Sequence, residues 1–454
     1  MNNISRLLGK RNLSIGVLGL GKSNEGVIQY LRKKNPNLKI TVRSDNCIDA
    51  SRLKPTAVFS GEDVLKDITE DALFLSPSAK RNKPELLEAE KNGVIISSDA
   101  EMFFELTDTL PICVTGSDGK STTARLISDV LNASGTKALP CGNFGKSLSS
   151  LLDTDVFPIV ELSSFQLNSF SPRSSRALIT NITPNHLDWH STFEDYVSAK
   201  MNITKNAEKI IFDADCETLR QMLKSKNVFS KTSLTDSYEK LKAIGGAENY
   251  VTYKNGIIYI NGSSFADVTS AKKREPYTIR NFLLTAAATF DIASRENIEK
   301  VLNSFPGLPH RSECFFDCGG IKFLDSSIDS SPERTIKTLS ALDGSVIAII
   351  GGKGKNLPLD TLADILPSLC EGAVLLGDVG QKLSHILVSK APSFKFDTAN
   401  GMKNAVIKAI QYAKSPSTII LSPAATSFDL YKNFEERGND FKNIVLSLYN
   451  NSTK

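Results

Sequence analysis

Ile112-Cys113-Val114-Thr115-Gly116-Ser117-Asp118-Gly119-Lys120-Ser121-Thr122 passes from an apolar strand through a glycine turn into a helix. That order builds an anion site into the chain. Glycines let backbone N–H groups approach an anion, the helix N-terminus adds a favourable dipole, Lys120 neutralises phosphate charge and the Ser121 hydroxyl can ligate magnesium. Val114 stands where the first glycine of the full P-loop spacing would fall, so the loop is a shortened one. The bland alternative is a plain strand, turn and helix with an exposed lysine.

On both sides of this loop, short apolar runs alternate with amphipathic segments, the pattern of parallel sheets covered by helices. The chain is therefore expected to be α/β throughout, in three domains. Upstream, the run from Leu13 to Leu20 leads into Gly19-Leu20-Gly21 and Gly26, and further strands are expected at 39–42, 57–60, 73–76 and 94–97. These form a Rossmann-like domain over residues 1–107. The loop opens a central P-loop-type ATPase sheet over 108–305, with strands at 157–161, 177–181 and 209–213. Inside it the polar stretch 230–274, with a β-like run at 250–260, reads as an insertion or a sheet-edge excursion. A dinucleotide-fold-like domain over 306–454 carries strands at 321–324, 345–351, 373–376 and 418–422.

A length of 454 residues exceeds what one hydrophobic core usually organises, which agrees with several domains. The net charge of +4 comes from interspersed lysines, arginines and acids, and aromatic residues make up 7% of the chain, so neither a nucleic-acid stripe nor a membrane surface is implied. Seven cysteines, mostly inside apolar segments, fit free thiols in a reducing compartment. Cys314 and Cys318 lack the second pair or nearby histidine that a zinc site needs. Arg6, Lys10 and Arg11 interrupt the N-terminal segment, which has no signal-peptide core, and a cytoplasmic location is expected.

Other residues attract notice by position. Glu161 ends a strand, where ligand sites collect in open α/β sheets, although capping or ion pairing would also explain it. His186 is one of four histidines and lies in a loop after a strand, where a histidine is more often merely solvated. By composition Lys200 is a surface lysine on a helix. Gly19-Leu20-Gly21-x-x-x-x-Gly26 departs from the dinucleotide fingerprint, its last glycine coming two positions late.

The loop Thr-Gly-x-x-Gly-Lys-Ser-Thr resembles that of the Mur ligases and the folylpolyglutamate synthases. Gly142-Asn143-Phe144-Gly145, Glu161-Leu162-Ser163-Ser164-Phe165-Gln166-Leu167 and Asn181-Ile182-Thr183-Pro184-Asn185-His186-Leu187-Asp188 extend the likeness. It resumes at His310-Arg311, at Gly351-Gly352-Lys353-Gly354-Lys355, and from Ser422 to Asp429 and Lys432 to Gly438. Taken together these segments resemble the D-glutamate-adding branch of the Mur ligase family.

The resemblance implies an ATP- and magnesium-dependent amide ligase that phosphorylates the carboxylate of UDP-N-acetylmuramoyl-L-alanine and joins D-glutamate to it, as a monomer. It implies ATP contacts from Gly116, Ser117, Asp118, Gly119, Lys120, Ser121 and Thr122, with Asn281 facing adenine, Asp325 the ribose, and Arg311 also on the nucleotide. It implies that Ser121, Glu161, His186 and Lys200, the last as a carbamate, hold magnesium, and that Lys120, Glu161, His186 and Lys200 are catalytic. The UDP substrate is expected near Gly21, Lys22, Ser23 and Asn24, with Arg43, Ser44 and Asp45 toward uridine and Asn143, Ser164 and Gln166 further along. D-Glutamate is expected at Lys355, Ser427 and Phe434, with the C-terminal domain closing over the central one. Relatives carry lysine where Ser327 stands, His-Asn where Arg280-Asn281 stands, asparagine at Leu284 and commonly arginine at Trp189. The alternatives are a sister ligase with a folate or another muramoyl peptide as acceptor, and a non-catalytic UDP-sugar-binding relative. The Glu161–Leu167 and Lys432–Gly438 segments disfavour the first, and intact Lys120, Glu161, His186 and Lys200 the second.

Overall fold

The computed structural model describes residues 3–45, 50–186, 189–224, 226, 228–354, 358–427 and 430–450. The chain divides into two compact units, Met1–Phe305 and Pro306–Lys454. Lys355, expected at the D-glutamate site, lies outside the described residues, as do Cys47 and the Leu187-Asp188 and Phe428-Asp429 pairs of the quoted motifs.

The first unit holds two sheets. Strands β1 (Ser14–Leu18), β2 (Lys39–Ser44), β3 (Ala57–Ser60), β4 (Ala72–Leu75) and β5 (Ile95–Ser98) pair in the order β3-β2-β1-β4-β5. All of these pairings are parallel, the Rossmann arrangement. β1 and β4 lie in the middle and are apolar on both faces, as strands covered by helices on two sides must be.

The second sheet is built from β6 (Ile112–Thr115), β7 (Ala138–Gly142), β8 (Phe157–Glu161), β9 (Arg173–Ile179), β10 (Asn206–Asp213), β11 (Val228–Ser233), β12 (Ala247–Lys254), β13 (Ile257–Ile260) and β14 (Ser263–Asp267). Its order is β14-β13-β12-β11-β10-β9-β6-β8-β7, which puts β6, the strand feeding the glycine loop, between β9 and β8. The stretch 230–274 is no insertion but the continuation of this sheet. β11 and β12 add in parallel, then β13 and β14 turn back antiparallel. The expected single run at 250–260 is two strands folded at Asn255-Gly256, and Asn261-Gly262 makes the next turn. Both residues of each pair have positive φ, 50° and 85° at the first and 52° and 81° at the second. That is the backbone of the twist-compatible hairpin turn for which Asn-Gly is the strongest short signal.

In the second unit, β15 (Glu313–Cys318), β16 (Ile321–Asp325), β17 (Val346–Gly351), β18 (Gly372–Leu376), β19 (Phe396–Ala399) and β20 (Ser417–Leu421) pair in the order β15-β16-β20-β17-β18-β19. Only β15 runs antiparallel, as an edge strand. Cys314 and Cys318 sit on it, both exposed and free. The α/β expectation, with a Rossmann-like sheet first, a glycine-loop sheet second and a third sheet behind, is borne out. No helix among the described residues is long and apolar enough to cross a membrane.

Two polar features organise the first unit. Asp99 starts the helix Asp99–Leu106 after β5 and is 3% exposed. Its carboxylate accepts the backbone N–H groups of Leu148 (3.0 Å) and Ser149 (2.9 Å), which belong to the second sheet's connections, and burial pushes its carboxyl up. Arg43 corrects an expectation. The strand runs on to Ser44, so Arg43 lies inside it and is 1% exposed. All five guanidinium N–H groups are used: Nε and Nη2 on Glu70 Oε1 (3.1 and 2.9 Å), Nη1 on the carbonyls of Val64 and Lys66, and Nη2 on that of Asp67. Its face rests on the Phe59 ring, 4.5 Å from the centroid. A group so engaged fixes the loop after β3 and has no donor left for uridine. Removing one partner of a buried ion pair strands the other charge. Glu70→Ala is expected to destabilise the first unit by about 3–5 kcal/mol, measured as a lowered denaturant midpoint, whereas Asp45→Ala on the exposed tip should leave the midpoint unchanged.

Candidate active site

The loop after β6 is shaped by close approach. At Gly116, φ is 146° and a Cβ would lie 1.9 Å from Thr180 Oγ1; at Gly119, φ is 81° and a Cβ would lie 2.4 Å from Asn281 Oδ1. Neither site has room for a side chain. Asn181, just after β9, holds the first half of the loop: its carbonyl accepts Ser117 N–H (2.9 Å) and its Oδ1 accepts Asp118 N–H (3.0 Å). Ser117 Oγ accepts Thr183 N–H (2.9 Å) and meets the Tyr196 hydroxyl at 2.7 Å. The N–H groups of Ser117 and Asp118 are therefore turned away from any ligand. What remains for an anion is the start of the helix Lys120–Ala133, where Lys120, Ser121 and Thr122 have N–H groups without an acceptor inside the helix.

Helix Pro276–Thr289 backs the loop. Asn281 is buried, and its Oδ1 accepts from Thr123 Oγ1 (3.2 Å). Its neighbour Arg280 pairs with Asp213 and Asp215 at the end of β10. Burial pushes the Asp213 carboxyl up to about 6 against the pull of Arg280.

Three charged side chains converge on the loop. Lys120 folds back so that Nζ donates to the carbonyls of Gly116 and Ser117, both at 3.0 Å. Lys200, on the helix Phe193–Met201, is no surface residue: it is 2% exposed, and its Nζ donates to Gly116 O at 2.7 Å. Burial, then the neighbouring Lys120 charge, hold the Lys200 amine well below the usual lysine range. Glu161 at the end of β8 is 1% exposed. Its Oε1 accepts from Asn143 Nδ2 at 2.8 Å, while its Oε2 is buried with no hydrogen-bond partner among the described residues. A carboxylate oxygen left bare in the interior is costly and fits a cation ligand. Ser121 is buried at the same helix N-terminus.

His186 stands apart from that cluster, exposed at φ 55°, with its ring edge-on to Phe165 at 4.9 Å. Ser164 and Gln166 are both buried. Gln166 serves as the far half of a capping box, its Oε1 accepting Ser163 N–H (2.9 Å), and Ser164 Oγ lies 2.9 Å from His190 Nε2. Sequence offers no signal for His190, and Tyr196 enters only as the first residue of the Tyr-x-x-Ala-Lys pattern ending at Lys200, though both pack against this centre. Trp189 ties the two sheets of this unit, its indole N–H donating to Ser78 O (3.0 Å) and its ring lying under the Lys80 ammonium. A cavity of about 430 Å³ opens beside it, lined among others by Lys80, Asn82, His190 and Asn202.

At the turn after β1, Gly21 precedes the helix Lys22–Lys34, and Gly21 and Lys22 are exposed, with Ser23 partly so. Asn24 is instead a core residue, 1% exposed, with Nδ2 on the carbonyls of Leu18, Gly19 and Phe74. It stitches the turn to β4 through its amide nitrogen, while its Oδ1 is buried with no hydrogen-bond partner among the described residues. Ser44 is buried at the strand end.

In the second unit Asp325 is 0% exposed, its Oδ2 2.6 Å from His310 Nδ1 and its Oδ1 accepting Ser327 N–H at 2.9 Å. Lys442 Nζ lies 3.5 Å from Asp325 and also pairs with Glu313, so the acidic group formed by His310, Glu313 and Asp325 already contains its cation. Asp325 thus ties His310, next to the half-buried Arg311, to Ser327 and Lys442. Ser327 donates to Phe434 O (2.8 Å) and accepts from Arg437 Nε (2.9 Å). Ser427 is buried, and Phe434 opens the helix Phe434–Asn450.

Residues 114–288 match the Mur ligase middle domain. The chain is 33% identical to a UDP-N-acetylmuramoylalanine–D-glutamate ligase of Acetivibrio thermocellus, covering 96% of this chain and 97% of that one. It is 35% identical to the enzyme of that name from Ruminiclostridium cellulolyticum, over 96% and 97%. In three dimensions it resembles the UDP-N-acetylmuramate–alanine ligase of Thermotoga maritima, with a TM-score of 0.62 at 15% identity over 96% of this chain and 99% of that one. Likeness above 30% identity through nearly the whole length shows that the chain belongs to the Mur ligase family.

Proposed function

We propose that the chain is an ATP-dependent ligase that joins D-glutamate to UDP-N-acetylmuramoyl-L-alanine, a cytoplasmic step of peptidoglycan synthesis. The observation that carries this reading is the likeness to ligases of that name, at 33% and 35% identity over 96% of this chain. The geometry supports the chemistry. A substrate carboxylate oxygen attacks the γ-phosphorus of ATP, ADP leaves, and an acyl phosphate results. The amine of the incoming amino acid then attacks the acyl carbon, the C–O bond to phosphate breaks, and the nitrogen gives up a proton.

Lys120 and the helix N-terminus meet charge on the transferring phosphoryl group. Lys120 must leave its two loop carbonyls to do so, which a phosphate oxygen can induce by offering a charged acceptor. Ser121 and the bare Glu161 Oε2 are the groups that would hold magnesium, and His186 and Lys200 complete the set carried over from the family. Magnesium, when bound, neutralises phosphate charge. Burial and the neighbouring Lys120 charge shift the Lys200 amine toward its neutral form, the form of lysine that adds to carbon dioxide, and the carbamate so formed would be an anion beside the phosphate site.

D-Glutamate is assigned to the second unit. The Ser327 hydroxyl is already committed to Phe434 and Arg437, so it does not replace the lysine that relatives carry. Lys355 and Ser427 are left to recognise the side-chain carboxylate.

Lys120→Ala should lower kcat by more than about tenfold, the equivalent of about 1.4 kcal/mol, with UDP-substrate affinity retained; activity above that level would remove the loop from the ATP site. Lys200→Ala should be inactive and regain part of its rate with added formate or acetate, while a fully active alanine variant would rule the carbamate out. Phosphate release with the UDP substrate should depend on D-glutamate, and Lys355→Ala should raise the KM for D-glutamate far more than that for the UDP substrate. Equal turnover with L-glutamate, L-lysine or meso-diaminopimelate would reduce the assignment to the superfamily.

A further inference from the structure

We infer that Tyr196 is a positioning residue for ATP, acting through Ser117 to fasten the glycine loop to the helix Phe193–Met201. Tyr196 is wholly buried one turn before Lys200. Its hydroxyl lies 2.7 Å from Ser117 Oγ, and Lys200 Nζ lies 4.8 Å from its ring centroid. Two consecutive loop residues, Gly116 through its carbonyl and Ser117 through its hydroxyl, are thus held by two residues of a single helical turn.

The donors can be counted. Ser117 Oγ accepts Thr183 N–H, and its one proton has two acceptors inside the protein, Thr183 O at 3.0 Å and the Tyr196 oxygen at 2.7 Å. Burial pushes the phenol up to about 12, which keeps its own proton in place throughout the neutral range. Ser117 therefore has neither hydroxyl nor N–H to give to a phosphate, its N–H being taken by Asn181. Its role is to be held. When Ser117 is held, Gly119 and the N–H groups of Lys120, Ser121 and Thr122 face a fixed direction. If the hold is lost, the loop must be ordered at the expense of ATP binding.

This inference rests on the reading of residues 116–122 as the ATP loop. The test is titration calorimetry of the full chain with ATP and magnesium on Tyr196→Phe, Ser117→Ala, the double variant and Lys120→Ala. Phenylalanine keeps the ring under Lys200 and removes only the hydroxyl. Tyr196→Phe and Ser117→Ala should each weaken ATP by about tenfold, and Tyr196→Phe should add less than about twofold in the Ser117→Ala background. A merely structural tyrosine would cost as much in that background as alone, and that result overturns the inference. Wild-type affinity in Tyr196→Phe with affinity lost in Lys120→Ala also overturns it while leaving the loop reading intact. Wild-type affinity in Lys120→Ala removes the loop reading and the inference together.

Discussion

The N–H groups of Lys120, Ser121 and Thr122 have no acceptor within their helix, and the turn that leads into it is held in one shape by its neighbours. An orphan donor facing water costs little, but one that swings into the protein finds a carbonyl and stops being a site. Thr180 presses on Gly116 and Asn281 on Gly119, so the turn has a single way to lie. Asn281 is fixed in turn by Thr123, and Arg280 beside it by two aspartates at the end of β10. The chain of support runs from the middle of the sheet outward to a side helix, and each link is polar and short.

Charge balance around this point is uneven by construction. Lys120 and Lys200 sit near one another, Glu161 and Asp118 pull the other way on Lys200, and burial with the Lys120 charge still lowers the Lys200 amine's proton affinity. A phosphate-rich ligand relieves that imbalance on one side. The proposed conversion of the amine to a carbamate would relieve it on the other. The two lysines are thus held near each other in a state that favours what they are proposed to bind.

Much of this was readable from residue order. A strand, Thr-Gly-x-x-Gly-Lys-Ser-Thr and a helix fixed the fold class of the central sheet, and Glu161 at a strand end fell where ligands collect. The hairpins at Asn255-Gly256 and Asn261-Gly262 were also written in the sequence, but a β-like run was read through the first of them because its apolar pattern continues on both sides. Other features were out of reach. A lysine in the last turn of a short polar helix reads as solvated, and only the packing of Tyr196 and the loop against it makes Lys200 buried. Arg43 lies in the strand rather than after it because β2 runs two residues further than its apolar pattern, and the Glu70 that holds it comes from a loop 27 positions away. Asn24, Gln166 and Asp325 carry polar side chains that serve backbone architecture, a use that residue type alone cannot separate from ligand binding.

Asp99 has a consequence for length. By gripping two successive backbone N–H groups of the connection between β7 and β8, it joins the first sheet to the second and sets how far apart they lie. On the proposed reading the uridine lies on the first sheet and the reacting carboxylate on the second, so this junction would work as a gauge. A sugar nucleotide whose arm is a residue longer or shorter would then present the wrong atom to the γ-phosphate. Discrimination between successive intermediates of a growing peptide stem would be a matter of distance, with Asp99 contributing to it from inside the protein.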